Sequence, residues 1–264
     1  MEQRSVPTEK LPRRKRRVML IILIILLDCL LILTLIFFFQ FYVDSSNRIE
    51  TSFDWAGYVV ASDLHNPKPT VTGVEASWTV PNVVVTARDS FSATWIGVGG
   101  QFDGSLIQVG TEQDSVNGTK MCLAWYELLP ELQVPIPSIA VSAGDNITAS
   151  ITLTNSTSNA WRIQIVDSAG ASKDQSFIKD FTYNSSKLSA EWIVERPNVN
   201  NVLRPLANFQ QETFTDCKAT VAGKTEAINE FPHIQAVMYS QNREIASVSS
   251  IRSNDASFTV NYAG

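Results

Sequence analysis

Hydrophobic positions along the chain follow two patterns, and the change between them lies near residue 43. Residues 18–43 form one apolar run of 26 residues in which Asp28 is the single charged side chain. As a helix this run is about 39 Å long, enough to cross a hydrocarbon core of about 30 Å with some tilt. A cleaved signal peptide has a shorter apolar region of about 7–15 residues that ends at small residues, whereas this run ends in FFFQFYV. The pattern predicts an uncleaved transmembrane anchor at 18–43.

The charges that flank this run predict its orientation. The cluster RRKRR occupies residues 13–17, and basic residues next to a membrane helix favour the cytoplasmic side. Residues 1–17 are therefore predicted to be a cytoplasmic tail, with the rest of the chain outside the cell membrane. Residues 44–52 are polar and are expected to form a short stalk.

From residue 53 onward, short segments rich in Val, Ile, Thr and aromatic residues alternate with Gly, Asn, Asp, Ser and Pro. This pattern is typical of strands joined by turns. The predicted strands are 55–60, 71–80, 92–98, 106–109, 121–128, 147–154, 161–166, 176–183, 188–196, 213–221, 234–239, 245–250 and 257–262. So many strands with almost no helical periodicity predict an all-β, two-sheet sandwich over residues 53–264, without an internal repeat.

Composition excludes several classes of function. The net charge is −5, divided into +4 for residues 1–43 and −9 for the remainder, which argues against a nucleic-acid partner. Three cysteines and two histidines cannot build a zinc cluster of paired C-x-x-C motifs. The motifs H-E-x-x-H, G-x-S-x-G and G-x-x-x-x-G-K-[ST] are absent. No metal or organic cofactor is expected, and catalysis would have to use carboxyl or amide groups.

Two further patterns agree with an exported domain. Four N-x-[ST] acceptor motifs for glycosylation begin at Asn117, Asn146, Asn155 and Asn184, although such motifs also arise by chance in a chain rich in Asn, Ser and Thr. Cys122 and Cys217 both follow the anchor, so an oxidising environment would permit a disulfide between them. Their spacing does not establish that bond.

Side-chain alternation identifies candidate chemistry on two strands. In the segment 188–196, Glu191 and Glu195 share one face with an isoleucine, and the opposite face is apolar. Two carboxyl groups on one face could line a cleft, or they could face solvent. In the segment 106–110, Gln108 is the single polar side chain. It could likewise be an ordinary surface residue.

Seven motifs in order resemble the glutamic peptidases, also called eqolisins. They are FDWAGYV at 53–59, ASWTVP at 76–81, WIGVGG at 95–100, LIQVGT at 106–111, AWYELLPE at 124–131, AEWIVE at 190–195 and FTDC at 214–217. Each motif alone is weak, but seven in family order and with suitable gaps are specific. The chain thus resembles a membrane-anchored member of this family.

The resemblance implies a lectin-like sandwich of two antiparallel sheets and an endopeptidase that acts at acidic pH. It also implies a catalytic dyad of Gln108 and Glu195, with Glu191 as the runner-up for the glutamate. Glu127 matches an acid that supports the dyad, and Trp95 matches a tryptophan near the substrate cleft. The implied partners are protein or peptide substrates, besides the lipid bilayer at the anchor.

Two expectations follow for the site. A glutamate that acts as a general base in acid must stay partly ionised, so burial should not raise the pKa of Glu195 much. The chain also departs from the fungal pattern at Gly99, where the family carries an aspartate.

Two other functions remain open from the sequence. The domain could be a lectin-like module that binds carbohydrate or peptide without catalysis, since a fold does not fix a function. It could also be a glycosidase that uses a pair of carboxyl groups such as Glu127 and Glu195.

Overall fold

The structure is a computed structural model that describes residues 13–168, 175–199 and 202–264. The chain forms two compact units, residues 1–45 and residues 46–264. Of the predicted tail at 1–17, residues 1–12 lie outside the described residues.

A single long helix accounts for the described part of the first unit. Helix α1 runs over Arg13–Ser46, so the predicted helix is present and is longer than the expected 18–43. Its segment Arg17–Phe37 has 21 residues and is apolar enough to cross a membrane, as a signal sequence near the N-terminus would also be. At about 1.5 Å per residue this segment matches the thickness of a hydrocarbon core.

Strands dominate the second unit. They are β1 (Arg48–Ser52), β2 (Trp55–Ala61), β3 (Val71–Thr79), β4 (Ala93–Gly99), β5 (Leu106–Val116), β6 (Thr119–Leu128), β7 (Val134–Pro135), β8 (Asn146–Asn155), β9 (Ala160–Asp167), β10 (Gln175–Thr182), β11 (Ser189–Glu195), β12 (Asn198–Val199), β13 (Val202–Leu203), β14 (Gln211–Val221), β15 (Lys224–Ala227), β16 (His233–Ser240), β17 (Arg243–Val248) and β18 (Phe258–Tyr262). A short 3-10 helix covers Ile228–Glu230. Every predicted strand overlaps an observed one, and the all-β prediction is confirmed.

The strands form a sandwich from one continuous hydrogen-bonded path. Its order is β10-β9-β8-β3-β14-β18-β17-β16-β2-β11-β4-β5-β6-β7, with β1 beside β16 and β15 beside β14. The half that contains β3 and β14 packs against the half that contains β11, β4 and β5. Indole groups link the two halves, because Trp78 Nε1 donates to Thr111 Oγ1 at 3.1 Å and Trp192 Nε1 donates to the Glu75 carbonyl at 3.0 Å.

The stalk prediction is wrong for Arg48–Ser52. These residues form β1, which pairs with β16, and the pair is parallel although the strands were expected to be antiparallel. The segment is polar, and Ile49 is exposed. Backbone hydrogen bonds rather than apolar burial hold β1 in place, so the sequence carries no hydrophobic signal for it.

The disulfide that the sequence would permit is not formed. Cys122 lies on β6 and is half-buried, Cys217 lies on β14 and is buried, and both thiols are free. The two strands belong to opposite halves of the path and are not neighbours. A disulfide requires Cα atoms within about 7 Å, and strand order is not visible in cysteine spacing.

Strand β11 lies between β2 and β4 and separates two cores. Ala190, Trp192 and Val194 face the main core between the two halves of the sandwich. Ile193 faces a smaller apolar cluster on the other side of the sheet. The alternation read from the sequence is thus confirmed, and the glutamates of β11 lie on the outer side with Ile193.

Candidate active site

A pocket of about 490 Å³ opens on the outer side of the sheet that contains β11, β4, β5 and β6. Five separate parts of the chain meet there: the turn before β2, the loop after β4, the start of β5, the C-terminal end of β6 and the C-terminal end of β11. The lining residues are Ser52, Asp54, Trp55, Gly100, Gln101, Leu106, Gln108, Glu127, Leu129, Glu195 and Asn198. Three of the predicted site residues, Gln108, Glu127 and Glu195, are therefore brought together.

Strand register brings Gln108 and Glu127 side by side. The two residues are directly paired across β5 and β6, and paired residues project from the same face of a sheet. Gln108 Nε2 donates a hydrogen bond to Glu127 Oε2. The Gln108 side chain is 95% buried, and its Oε1 has no hydrogen-bond partner among the described residues. Glu127 therefore fixes the orientation of the amide.

Glu195 is the last residue of β11 and is held by Trp95. The indole Nε1 of Trp95 donates to Glu195 Oε2 at 2.7 Å. Trp95 is fully buried and packs edge-on against Trp55, with ring centroids 5.1 Å apart. The indole thus connects the carboxyl group to rigid strands, which limits its movement.

Two glycines make room for Trp95, Gly97 beside its indole ring and Gly110 beside the Thr94–Trp95 backbone. A Cβ atom at Gly97 would lie 2.8 Å from the Trp95 ring, and one at Gly110 would lie 2.2 Å from the Thr94 carbonyl oxygen. Real Cβ atoms do not approach other atoms so closely, so these positions require glycine. The glycines of the motifs WIGVGG and LIQVGT therefore have a packing role beside the site.

The departure at Gly99 also has a backbone explanation. Gly99 has a φ of +91°, a region that side-chain-bearing residues rarely adopt. A Cβ there would lie 2.3 Å from the Ser105 carbonyl oxygen. The local backbone of this chain therefore does not accommodate the aspartate that the resemblance implies at this position.

The carboxyl group of Glu195 is hard to ionise. Burial raises its pKa to about 8, the negative charges of Asp54 and Glu127 contribute to the rise, and the Trp95 hydrogen bond opposes it. The expectation that its pKa stays near the ordinary value is therefore wrong. Strand packing removes water from this group more effectively than the sequence indicates.

Glu127 is less strongly perturbed. Burial raises its pKa, while hydrogen bonds from the Gln108 amide and from the backbone of Gln133 lower it. These donors favour the ionised form, so Glu127 is the better candidate for a fixed negative charge beside the amide.

Glu191 does not line the pocket. It shares a face with Glu195 but is fully buried. Burial raises its pKa well above the usual range, and the Ser189 hydroxyl and the Gln101 backbone lower that pKa by less. The structure thus separates the two glutamates of the motif AEWIVE into one that reaches the pocket and one that lies in the protein interior.

Sequence reasoning missed several residues of the pocket. Asp54 and Trp55 lie within the motif FDWAGYV, which was the available signal, but no role was assigned to them. Gln101 lies in the loop after β4 and Asn198 begins the short strand β12, and neither carries a pattern that marks it. No group of three or more His, Cys, Asp or Glu side chains arranged to hold a metal ion is found within the described ranges.

Comparison with known proteins extends over most of the chain. A family model described as Peptidase A4 family matches residues 54–262. Aspergillopepsin-2 of Aspergillus niger is 26% identical over 196 residues, 67% of each chain. Scytalidopepsin B of Scytalidium lignicola is 27% identical over 206 residues, 74% of each chain.

Solved structures agree with this match. The crystal structure of scytalido-glutamic peptidase with a transition state analog inhibitor has a TM-score of 0.66 at 22% identity and covers 80% of this chain and 99% of its own. The crystal structure of aspergilloglutamic peptidase from Aspergillus niger has a TM-score of 0.55 at 24% identity. It covers 66% of this chain and 99% of its own. At these identities the structures show a shared fold. The family match over residues 54–262 shows that the chain belongs to the Peptidase A4 family of glutamic peptidases, the eqolisins, and is a peptidase.

Proposed function

We propose that the protein is an endopeptidase in which Glu195 and Gln108 form the catalytic dyad. The observation that carries the proposal is their position in one pocket, where both side chains are held by neighbours. Trp95 fixes the carboxyl group and Glu127 fixes the amide. Such preorganisation is what stabilises a charge that develops in a transition state.

In the proposed reaction, ionised Glu195 acts first as a general base. It removes a proton from a water molecule, and the water oxygen bonds to the carbonyl carbon of the scissile peptide. The carbonyl oxygen takes up the electron pair of the double bond. The carboxamide nitrogen of Gln108 carries two hydrogens, of which one is bound by Glu127 and the other can stabilise this oxyanion. The tetrahedral intermediate then breaks at the C–N bond, and Glu195 returns the proton to the leaving nitrogen.

The pKa of Glu195 predicts the pH dependence of this reaction. With a pKa of about 8, the ionised base becomes more abundant as the pH rises, so kcat/KM should increase about tenfold per pH unit in acid and level off near pH 8. This differs from the acidic optimum that the resemblance implies. The measurement is initial-rate cleavage of a denatured protein by the full chain in detergent from pH 4 to 9, with and without a chelator.

The direction of the pH profile decides the role of Glu195. A rate that falls through pH 8 would mean that protonated Glu195 is the required form and acts as a proton donor, which contradicts the base assignment. Because the stability of the fold itself depends on pH, each rate must be divided by the folded fraction measured at the same pH.

We further propose that α1 anchors the peptidase domain at the outer face of the cell membrane. The apolar segment Arg17–Phe37 and the basic residues at its N-terminal side support this orientation. All four predicted glycosylation sites are accessible, because Asn117, Asn146, Asn155 and Asn184 are exposed.

This orientation predicts that the protein expressed in eukaryotic cells carries N-linked glycans. Treatment with an N-glycosidase should increase its mobility on a denaturing gel, and the variant Asn155→Gln should remove one of the steps. A chain that remains membrane-bound but shows no shift with either treatment would contradict the outside location of the domain.

A further inference from the structure

Among the described residues, the pocket is lined by acids without a basic side chain. Three of its lining side chains are the carboxyl groups of Asp54, Glu127 and Glu195, and none is Lys, Arg or His. The buried side chain of Gln108 adds the carbonyl oxygen Oε1, which has no hydrogen-bond partner among the described residues. The pocket therefore offers acceptors to a ligand that brings donors and positive charge.

The cations closest to the pocket in sequence are engaged elsewhere. Arg196 follows Glu195, and its guanidinium donates to the Arg204 carbonyl and to the Ser240 hydroxyl, the latter at 3.3 Å. Burial lowers the pKa of Arg196, and the negative charge of Asp54 opposes this effect. The two side chains nevertheless form no ion pair in the described part of the chain. Arg48 pairs with Glu50 at 2.7 Å.

Asp54 is held rigidly at the turn between β1 and β2. Its Oδ1 accepts a hydrogen bond from the Ser52 hydroxyl at 2.8 Å. The same hydroxyl oxygen accepts from the backbone amides of Asp54 and Trp55, at 3.3 and 3.0 Å. The position of the Asp54 carboxylate is thus defined before any ligand binds, which reduces the entropic cost of binding.

We propose that Asp54 is a specificity residue that selects peptide substrates with a lysine or arginine side chain beside the scissile bond. This inference rests on the proposed function. The cation of the substrate would pair with the Asp54 carboxylate in a pocket that is partly shielded from water, where opposite charges attract more strongly than at the surface.

A cationic substrate would also activate the base. A positive charge near Glu195 favours its ionised form and lowers its pKa, so that more of the enzyme-substrate complex holds the base that the reaction needs. Selection through Asp54 should therefore raise kcat below pH 8 and not only lower KM.

The test uses the full chain in detergent and two pairs of peptides. Each pair is identical except for lysine or norleucine on one side of a cleavage site mapped by mass spectrometry. At pH 6.5 the lysine peptide of at least one pair should have a kcat/KM about tenfold higher, equivalent to 1.4 kcal/mol. In the variant Asp54→Asn, which keeps the acceptor for Ser52, this ratio should fall to about one.

The matched control is Asp216→Asn on β14. Asp216 is exposed on the other half of the sandwich, and asparagine also tolerates its φ of +54°. This variant has the same change in net charge and should keep the lysine preference.

Three results would overturn the proposal: no lysine preference in the wild type, an unchanged preference in Asp54→Asn, or its loss in Asp216→Asn. The wild-type comparison stands even where Asp54→Asn fails to fold. Failure of the proposed function is distinguishable, because Glu195→Gln would then cleave the lysine and norleucine peptides at the wild-type rate.

Discussion

Replacing Glu195 by glutamine is expected to lower kcat/KM by about a thousandfold, the scale of a lost general base. Glutamine has nearly the same shape and can still accept the hydrogen bond from Trp95 Nε1, so the fold should remain intact. It cannot accept and return a proton. The measurement is kcat/KM on a peptide substrate, together with a thermal unfolding curve for each protein.

The control for this substitution is Glu226→Gln. Glu226 is exposed on β15, which lies beside β14 on the other half of the sandwich. This variant should cleave at the wild-type rate. Wild-type activity in Glu195→Gln would exclude Glu195 as the base. A folded wild-type protein that cleaves nothing at any pH would instead favour the alternative of a lectin-like binding module.

The amide partner should give a smaller but still large effect. In Gln108→Ala we expect kcat/KM to fall about 100- to 1000-fold, the usual cost of removing one oxyanion donor. The same change removes the hydrogen bond that lowers the pKa of Glu127, so the pH profile should shift as well. An unchanged rate would show that another group stabilises the oxyanion.

The second large effect concerns stability: the folded domain should be markedly more stable at pH 4 than at pH 8. Besides Glu127, four acids among the described residues have raised pKa values. Asp114 and Glu195 each titrate at about 8, and burial raises the pKa of Glu191 and Glu212 well above the usual range. Burial is the largest cause in every case.

The sign follows from the two states of the chain. Well below pH 4 these groups are protonated whether the chain is folded or unfolded. As the pH rises, the unfolded chain releases the protons while the folded chain keeps them, so ionisation stabilises the unfolded state and the free energy of unfolding falls. For Asp114 and Glu195 the fall continues until the pH passes about 8.

The loss should be large enough to measure easily. One pKa unit corresponds to 1.36 kcal/mol, so pKa values raised to about 8 at Asp114 and Glu195 lower the free energy of unfolding by several kcal/mol between pH 4 and 8. Denaturant unfolding at several pH values measures this change. A stability that rises between pH 4 and pH 8 would contradict the prediction.

Asp114→Asn isolates one contribution. Asp114 is 92% buried, shares a hydrogen bond with the Glu112 carboxyl group and accepts another from the Ser92 backbone. An asparagine amide can donate a hydrogen bond to Glu112 but does not ionise. The free energy of unfolding of the variant should therefore fall less between pH 4 and 8 than that of the wild type. The exposed change Glu226→Gln should leave the pH dependence as it is in the wild type.

The fold class was predictable from sequence because its signals are local. Alternation along 188–196 correctly placed Glu191 and Glu195 on one face and the apolar side chains on the other. Turn residues between the strands predicted their limits to within a few residues, except that β5 continues to Val116. Strand β1 was missed because its side chains are polar and its partner, β16, lies almost 200 residues away.

Periodicity and motifs are properties of neighbouring residues, so they were enough to predict the apolar N-terminal helix, the all-β domain and the family of the chain. The tertiary structure decided which candidates meet. Strand order and register place Gln108 beside Glu127 and bring Asp54 and Glu195 to the same pocket, while Glu191 is left in the interior. Burial then raises the pKa of Glu195. Solvent exclusion and charge proximity depend on residues far apart in the chain, and therefore cannot be read from any one segment.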